Sequence, residues 1–209
     1  MLALFFSALL SSPHMQPIWQ QRLDRANELA KLSPVEPDVL DFYCHIAGFQ
    51  ASLAAGAQPA NLHLMQALAD RPGNDTLHAF VRRVLRQVDR APDSTVPPNR
   101  CPRCAELPVA AVLQEGRRSL LCGVCFHQWE HAGRLCLACG GDTSTLHPED
   151  PLQEFPYIAI EACASCRTYL KAIGDGTPVP EVDELASVIV DLWAAAQGFT
   201  KLQTNLFGL

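Results

Sequence analysis

CPRC at residues 101–104, CGVC at 122–125, CLAC at 136–139 and CASC at 163–166 hold eight of the nine cysteines of this chain. Two cysteines three residues apart turn their sulfurs to one point when a tight turn separates them. Such a knuckle supplies half of a tetrahedral thiolate shell, so four knuckles read as two closed S4 metal sites. The ligands are Cys101, Cys104, Cys122, Cys125, Cys136, Cys139, Cys163 and Cys166. Seventeen residues separate the first two knuckles and 23 the last two, enough in each case for a β-hairpin that brings its pair together. Only ten residues lie between Cys125 and Cys136. A short turn there favours sequential pairing, giving two ribbons in tandem, over alternate pairing in a cross-braced module. S4 coordination suits zinc, and equally a single iron of the rubredoxin kind.

Two other uses of cysteine fit less well. Disulfide frameworks need an oxidising compartment and seldom consist only of CxxC pairs. A redox CxxC of the thioredoxin sort stands beside a βαβ pattern, and none is visible here. Cys44, the ninth cysteine, sits in an apolar helical stretch and reads as a small core residue. Neighbouring His45 reads as an ordinary helix position without a carboxylate or cysteine partner at helical spacing.

Working outward, the hairpin of the first site is expected from Val109–Leu113 and Ser119–Leu121 around Glu115-Gly116. Phe126 and Trp129 follow the second knuckle and should shield its sulfurs. His127 and His131 are spare imidazoles beside shells that the cysteines already fill. Gly140-Gly141 lets the backbone approach the third knuckle closely. Residues 143–155 read as an acidic, proline-bearing loop, followed by strands over Tyr157–Ala162 and Tyr169–Ile173. One helix is expected after Pro178 and Pro180, with Glu181, Asp183 and Glu184 at its start and Val182, Leu185, Val188, Ile189, Leu192 and Trp193 as its buried stripe.

Ahead of the cysteines the chain reads as helical. Trp19, Arg22, Leu23, Ala26, Leu29 and Ala30 share one face up to Leu32, and Ser33-Pro34 ends that helix. A second, starting near Pro37, is apolar nearly all round and should be central. Residues 60–70 suggest a short third helix. A fourth, capped by Asn74 or Asp75, has its seam at Leu77, Phe80, Val81, Val84, Leu85 and Val88, with Arg82, Arg83, Arg86 and Arg90 as a solvated face. The run APDSTVPPNR (91–100) is a proline-rich linker. Residues 1–15 carry an apolar run too short to span a bilayer and without the basic start of a signal peptide. They read as an extension ahead of Met15, a candidate start, or as an apolar helix packing on the domain or on a second copy. A chain beginning at Met15 is expected to be soluble and metal-loaded.

The organisation is therefore α+β. An extension (1–15) precedes a helical domain (16–90), a linker (91–100), two CxxC metal modules (101–133 and 134–175) and a C-terminal helix and tail (176–209). Charge narrows the function. The formal net charge is −6, and residues 101–170 hold eight carboxylates against five arginines. Four thiolates around a divalent ion add about −2 per site, so a nucleic-acid backbone is repelled. No nucleophile elbow, phosphate loop or paired catalytic carboxylates stand out, and a closed S4 shell offers no substrate position.

The strings CPRCAELPVAAV, LLCGVCFHQWEH, CLACGG, EACASCRTYLK and PEVDELASVIVDLWAAAQGF, with RLDRANELAKLSPVEPDVLDFYCHIAGFQASLA ahead of them, resemble the FdhE family of formate dehydrogenase accessory proteins. The resemblance runs from about Ile18 onward. It implies a helical domain followed by two rubredoxin-like modules, with the eight cysteines carried over as ligands of two metal ions, iron or zinc. It also implies a cytoplasmic, non-enzymatic role: binding the catalytic subunit of a molybdenum- or tungsten-dependent formate dehydrogenase during maturation, without nucleic acid or membrane insertion. A homodimer is compatible with it. The alternative is a free-standing rubredoxin-like electron-transfer or redox-sensing protein. Family members are longer in the helical region, usually place glycine where Ala105 stands, and have a proline near the end that TNLFGL lacks.

Overall fold

A computed structural model describes residues 17–32, 37–54, 58, 62–69, 80–82, 84–85, 95–148, 155–205 and 208. The chain divides into two compact units, Met1–Asp89 and Arg90–Leu209.

The first unit is helical: α1 (Pro17–Leu32), α2 (Pro37–Ala54) and α3 (Leu62–Ala69), with helical backbone again at 80–82 and 84–85. Trp19, Leu23, Ala26 and Leu29 of α1 are buried, and Arg22 lies over the Trp19 ring at 4.4 Å. Apolar residues on most sides make α2 the centre, as its sequence dictates: Leu40, Tyr43, Ala47 and Phe49 are all buried. The exposed Phe42 ring stacks on Phe80 at 5.8 Å. Val81 and Val84 of the expected fourth helix are buried, while Arg83, Arg86 and Arg90 fall outside the described residues, as do residues 1–15. Cys44 is buried as expected. His45 does have partners: its Nδ1 sits 2.8 Å from the Asp41 carbonyl and 3.6 Å from the Asp41 carboxylate, one helical turn back.

The second unit is one seven-stranded sheet. Its strands are β1 (Pro108–Gln114), β2 (Arg117–Cys122), β3 (Gln128–Glu130), β4 (Thr143–Leu146), β5 (Ile158–Cys163), β6 (Thr168–Ile173) and β7 (Thr200–Lys201). The order is β3-β2-β1-β6-β5-β4, with β7 pairing β6. Each module contributes three antiparallel strands built the same way: knuckle, strand, return strand running into the second knuckle, third strand. The first hairpin turns at Glu115 and Gly116, with φ of 51° and 75°, the two positive values that a two-residue turn matched to strand twist requires. Where β1 meets β6 the pairing is parallel, Ala110 to Lys171 through Val112 to Ile173, so the tandem modules share one sheet, and Ala111 and Leu120 of the first pack with Leu170 of the second.

Three departures from the sequence reading have physical causes. Residues Thr143–Leu146, expected in a loop, form an edge strand; TSTL is short, polar and largely exposed, and pairing with β5 alone makes it a strand. The three-residue β3 is likewise too brief to show a period. The C-terminal helix is two helices, α4 (Pro180–Ala186) and α5 (Val188–Ala196), broken at Ser187. No proline or glycine marks the break. Lys171 on β6, fully buried, donates to the Glu184 carbonyl at 2.8 Å and to Ser187 Oγ at 3.0 Å, and that carbonyl is thereby taken up by a buried cation at the helix's last turn.

That lysine centres a buried polar cluster. Lys171 Nζ lies 2.7 Å from Asp191 and 3.4 Å from Glu184, while Lys201 on β7 meets Glu184 at 2.6 Å and Asp191 at 3.2 Å. The Tyr169 hydroxyl donates to Asp191 at 2.6 Å. Burial pushes Asp191 up, but the two ammonium groups outweigh it and hold its carboxyl below the usual range. The acidic start of α4 is also buried: Asp183 accepts from Thr177 Oγ1 at 2.7 Å and from the Tyr157 hydroxyl. The charges expected at the helix start serve as internal anchors.

Candidate metal centres

All four knuckles share one backbone device. The residue after the second cysteine has positive φ: Ala105 (62°), Phe126 (55°), Gly140 (75°) and Arg167 (60°). Its N–H returns to the carbonyl of the first cysteine, at 2.8, 3.1, 2.8 and 3.0 Å respectively. The turn so closed aims both sulfurs one way. Only Gly140 enters the left-handed region without steric penalty; the other three hold L-residues at an expected cost of roughly 1 kcal/mol each. This is why glycine suits position 105, and Ala105 keeps the turn without it.

The sulfurs form two groups, Cys101, Cys104, Cys122 and Cys125 in one and Cys136, Cys139, Cys163 and Cys166 in the other, each set within 4.8 Å. In the first, Cys101 and Cys125 stand 3.4 Å apart, Cys104 and Cys122 3.4 Å, and Cys104 and Cys125 3.7 Å. In the second, Cys136 and Cys166 are 3.5 Å apart and Cys139 and Cys163 3.6 Å. A tetrahedron with metal–sulfur bonds of about 2.3 Å has edges of about 3.8 Å. The donor sets therefore fit a tetrahedral thiophilic ion, and grouping follows the order of the chain. His127 and His131 belong to neither group.

Thiols this close share protons. Cys101 is held well below the usual thiol range by hydrogen bonds from Cys104, Cys122 and Cys125, while Cys122 is pushed far up, chiefly by its bond to Cys101. Four negative sulfurs coexist only around a cation.

The two centres differ in cover. At the first, Cys101, Cys122 and Val124 are buried, with Trp129 packed on them. Trp129 is pinned by its Nε1, which donates to the Pro98 carbonyl at 3.0 Å, and His127 stacks on its ring. Backbone N–H groups of Val124 and Cys125 point at Cys122 Sγ, at 3.4 and 3.5 Å. Gly123 is required there because a Cβ would stand 2.8 Å from the Cβ of Val109 on β1. At the second centre Cys136 and Cys163 are buried, but Cys139 and Cys166 are exposed. Around Gly141, where a close approach to the sulfurs was expected, an added Cβ would stand 3.3 Å from Ser165 Oγ and at ordinary contact distance from Cys139 Sγ (3.4 Å) and Cys163 Sγ (3.6 Å).

Sequence reasoning missed what joins the centres. Arg118 on β2 reaches Glu161 on β5 through two hydrogen bonds, at 3.0 and 2.6 Å, and its third nitrogen donates to the His131 carbonyl at 2.8 Å. Both side chains are buried. The signal, two arginines opening RRSLLC and one glutamate inside IAIEAC, was present but named no partner. Among the described residues, no helix is long and apolar enough to cross a membrane.

No protein-family model matches the chain. It is 36% identical over 118 residues to the FdhE homologue of Aquifex aeolicus, a stretch covering 53% of this chain and 42% of that protein. It is 32% identical over 115 residues to the FdhE homologue of Haemophilus influenzae strain PittEE, covering 51% and 37%. The matches thus span about two fifths of the curated relatives' length. The crystal structure of the FdhE protein from Pseudomonas aeruginosa superposes with a TM-score of 0.62 at 20% identity, over 93% of this chain and 97% of that one, a likeness of fold. The resemblance to FdhE proteins that the cysteine strings carry is thus matched by similar sequences and by a similar structure.

Proposed function

We propose that this chain is a cytoplasmic accessory factor of formate dehydrogenase maturation that binds the enzyme's catalytic subunit and performs no catalysis of its own. One observation carries the reading: two complete four-cysteine rings share one sheet in a chain about half of which is similar to FdhE homologues. The eight cysteines are the metal ligands. Four thiolates per ion leave no coordination position for a substrate, which fits a structural or one-electron role better than hydrolysis or group transfer. Zinc would supply folding energy alone, and iron would add a one-electron couple.

The protein's own residues supply the rest of the site. The left-handed residue of each knuckle aims the sulfurs. Val124 and Cys125 donate N–H bonds to Cys122, and Trp129 keeps water from the first ring. The shared β1–β6 pairing holds the two rings in fixed relation. A partner would therefore meet both as parts of one rigid body. Anaerobic size-exclusion chromatography with a formate dehydrogenase catalytic subunit tests the role. A stable complex, lost when Cys101 and Cys104 are replaced together by serine, is the expected result. Absence of a complex between folded, metal-loaded proteins refutes it.

A second reading, a free-standing electron-transfer or redox-sensing protein, is favoured by the exposure of Cys139 and Cys166. Visible absorbance that bleaches on reduction, with no complex formed, selects it.

A further inference from the structure

The second centre is bound to a piece of chain that follows the C-terminal helices. Arg167, the residue directly after Cys166, closes the fourth knuckle at φ 60°, its N–H donating to the Cys163 carbonyl at 3.0 Å. Its own carbonyl accepts from Thr200 N–H at 2.8 Å. The guanidinium donates to the Gly198 carbonyl at 3.3 Å and to the Gln197 carbonyl, and lies 3.9 Å over the Phe199 ring. Strand β7 then pairs in parallel with Thr168–Tyr169, and Leu202 N–H donates to the Tyr169 carbonyl at 2.9 Å. Lys201 drives the segment's far end into the buried cluster of Glu184 and Asp191. At the first centre the matching residue is Phe126, itself buried.

We propose that the segment Gln197–Leu202 is a clasp on the second four-cysteine centre, so that loading of that centre with a thiophilic metal and docking of the segment are one coupled event. The inference rests on the metal reading of the cysteines. Its physical basis is the backbone of Arg167. An L-residue at positive φ is held there against a steric penalty, and sulfur ligation at Cys163 and Cys166 fixes the turn that imposes it. When the turn relaxes, the Arg167 carbonyl and guanidinium leave the positions that Thr200, Gln197, Gly198 and Phe199 require. The coupling is reciprocal: a docked segment holds the knuckle closed and retards metal loss from a ring two of whose cysteines are exposed.

Zinc-loaded full-length protein provides the test, with a colorimetric chelator to follow release and amide hydrogen exchange to follow the segment. Two zinc ions per chain should leave in two phases, the faster assigned to the second ring by its absence in a Cys136→Ser, Cys139→Ser variant. Arg167→Ala should speed that phase by about tenfold, the scale of a typical coupling between linked sites, and leave the slower phase unchanged. Phe199→Ala, which leaves the knuckle sequence intact, should act in the same direction and covers the case in which the arginine variant fails to fold. Stripping the second ring should raise exchange at Thr200 and Leu202 while Ala110 and Leu120 stay protected. Equal release rates in Phe199→Ala and wild type, or unchanged exchange at Thr200 and Leu202 after stripping, overturns the clasp while leaving the metal reading in place. Binding of fewer than two zinc ions by wild type overturns the metal reading first.

Discussion

Replacing Glu161 with alanine strands the Arg118 guanidinium inside the shared sheet. Arg118 and Glu161 side chains are only 5% and 8% exposed, and two hydrogen bonds of 3.0 and 2.6 Å join them. Alanine removes both acceptors and leaves Arg118 one bond, to the His131 carbonyl. Breaking a buried pair from one side costs roughly 3–5 kcal/mol, since the remaining charge has lost its compensation. With a urea dependence of about 2 kcal/mol per M, the midpoint of the second unit should fall by about 1.5–2.5 M. The readout is urea denaturation of the metal-loaded chain at fixed metal concentration, followed by circular dichroism and by exchange at Val112 and Ala172, which sit where the modules join. Arg118→Met combined with Glu161→Leu should recover most of the loss, because packed apolar side chains replace a buried pair at little cost. A Glu161→Ala protein within about 1 kcal/mol of wild type, or a double variant no better than the single, refutes the view that this bridge ties the modules.

Other outcomes follow from the same geometry. Asp191 is held below the usual carboxylate range, so its contribution is present at neutral pH and lost as pH falls below about 4; Asp191→Asn should flatten that acid limb of the stability profile. Tyr169 is pushed up by burial and by Asp191, and Lys201 is raised by Glu184 and Asp191 against the opposing and larger single effect of burial. Both contributions are present below about pH 10 and lost above it, and Tyr169→Phe should blunt the tyrosine part. Gly123→Ala should destabilise the first module by about 1–3 kcal/mol through the 2.8 Å approach to Val109, measured by thermal melting. Ala105→Gly should stabilise it by about 0.5–1 kcal/mol, since φ of 62° suits glycine. In metal-stripped protein, a maleimide should label exposed Cys166, whose thiol the hydrogen bonds with Thr168 lower to about 6, well ahead of buried Cys44, whose thiol burial, helped by Asp41, pushes up to about 11.

Spacing alone determined much here. Knuckle chemistry is local: CxxC with a left-handed residue after it aims two sulfurs within five residues, so the cysteines and their sequential grouping were readable from their order. The Glu115-Gly116 turn and the apolar α2 were legible for the same reason, each being set by neighbours in the chain. What tertiary structure decided was every contact across strands. TSTL became β4 only because β5 offers it an edge, and the two modules became one sheet through the parallel β1–β6 pairing, which no period in either strand encodes. Glu184 and Asp191 look like ordinary helix charges until Lys171 and Lys201 arrive from β6 and β7; a buried charge depends on its partner, and that partner can lie anywhere in the chain. The same lysine breaks the C-terminal helix at Ser187, where propensity alone would have carried it through.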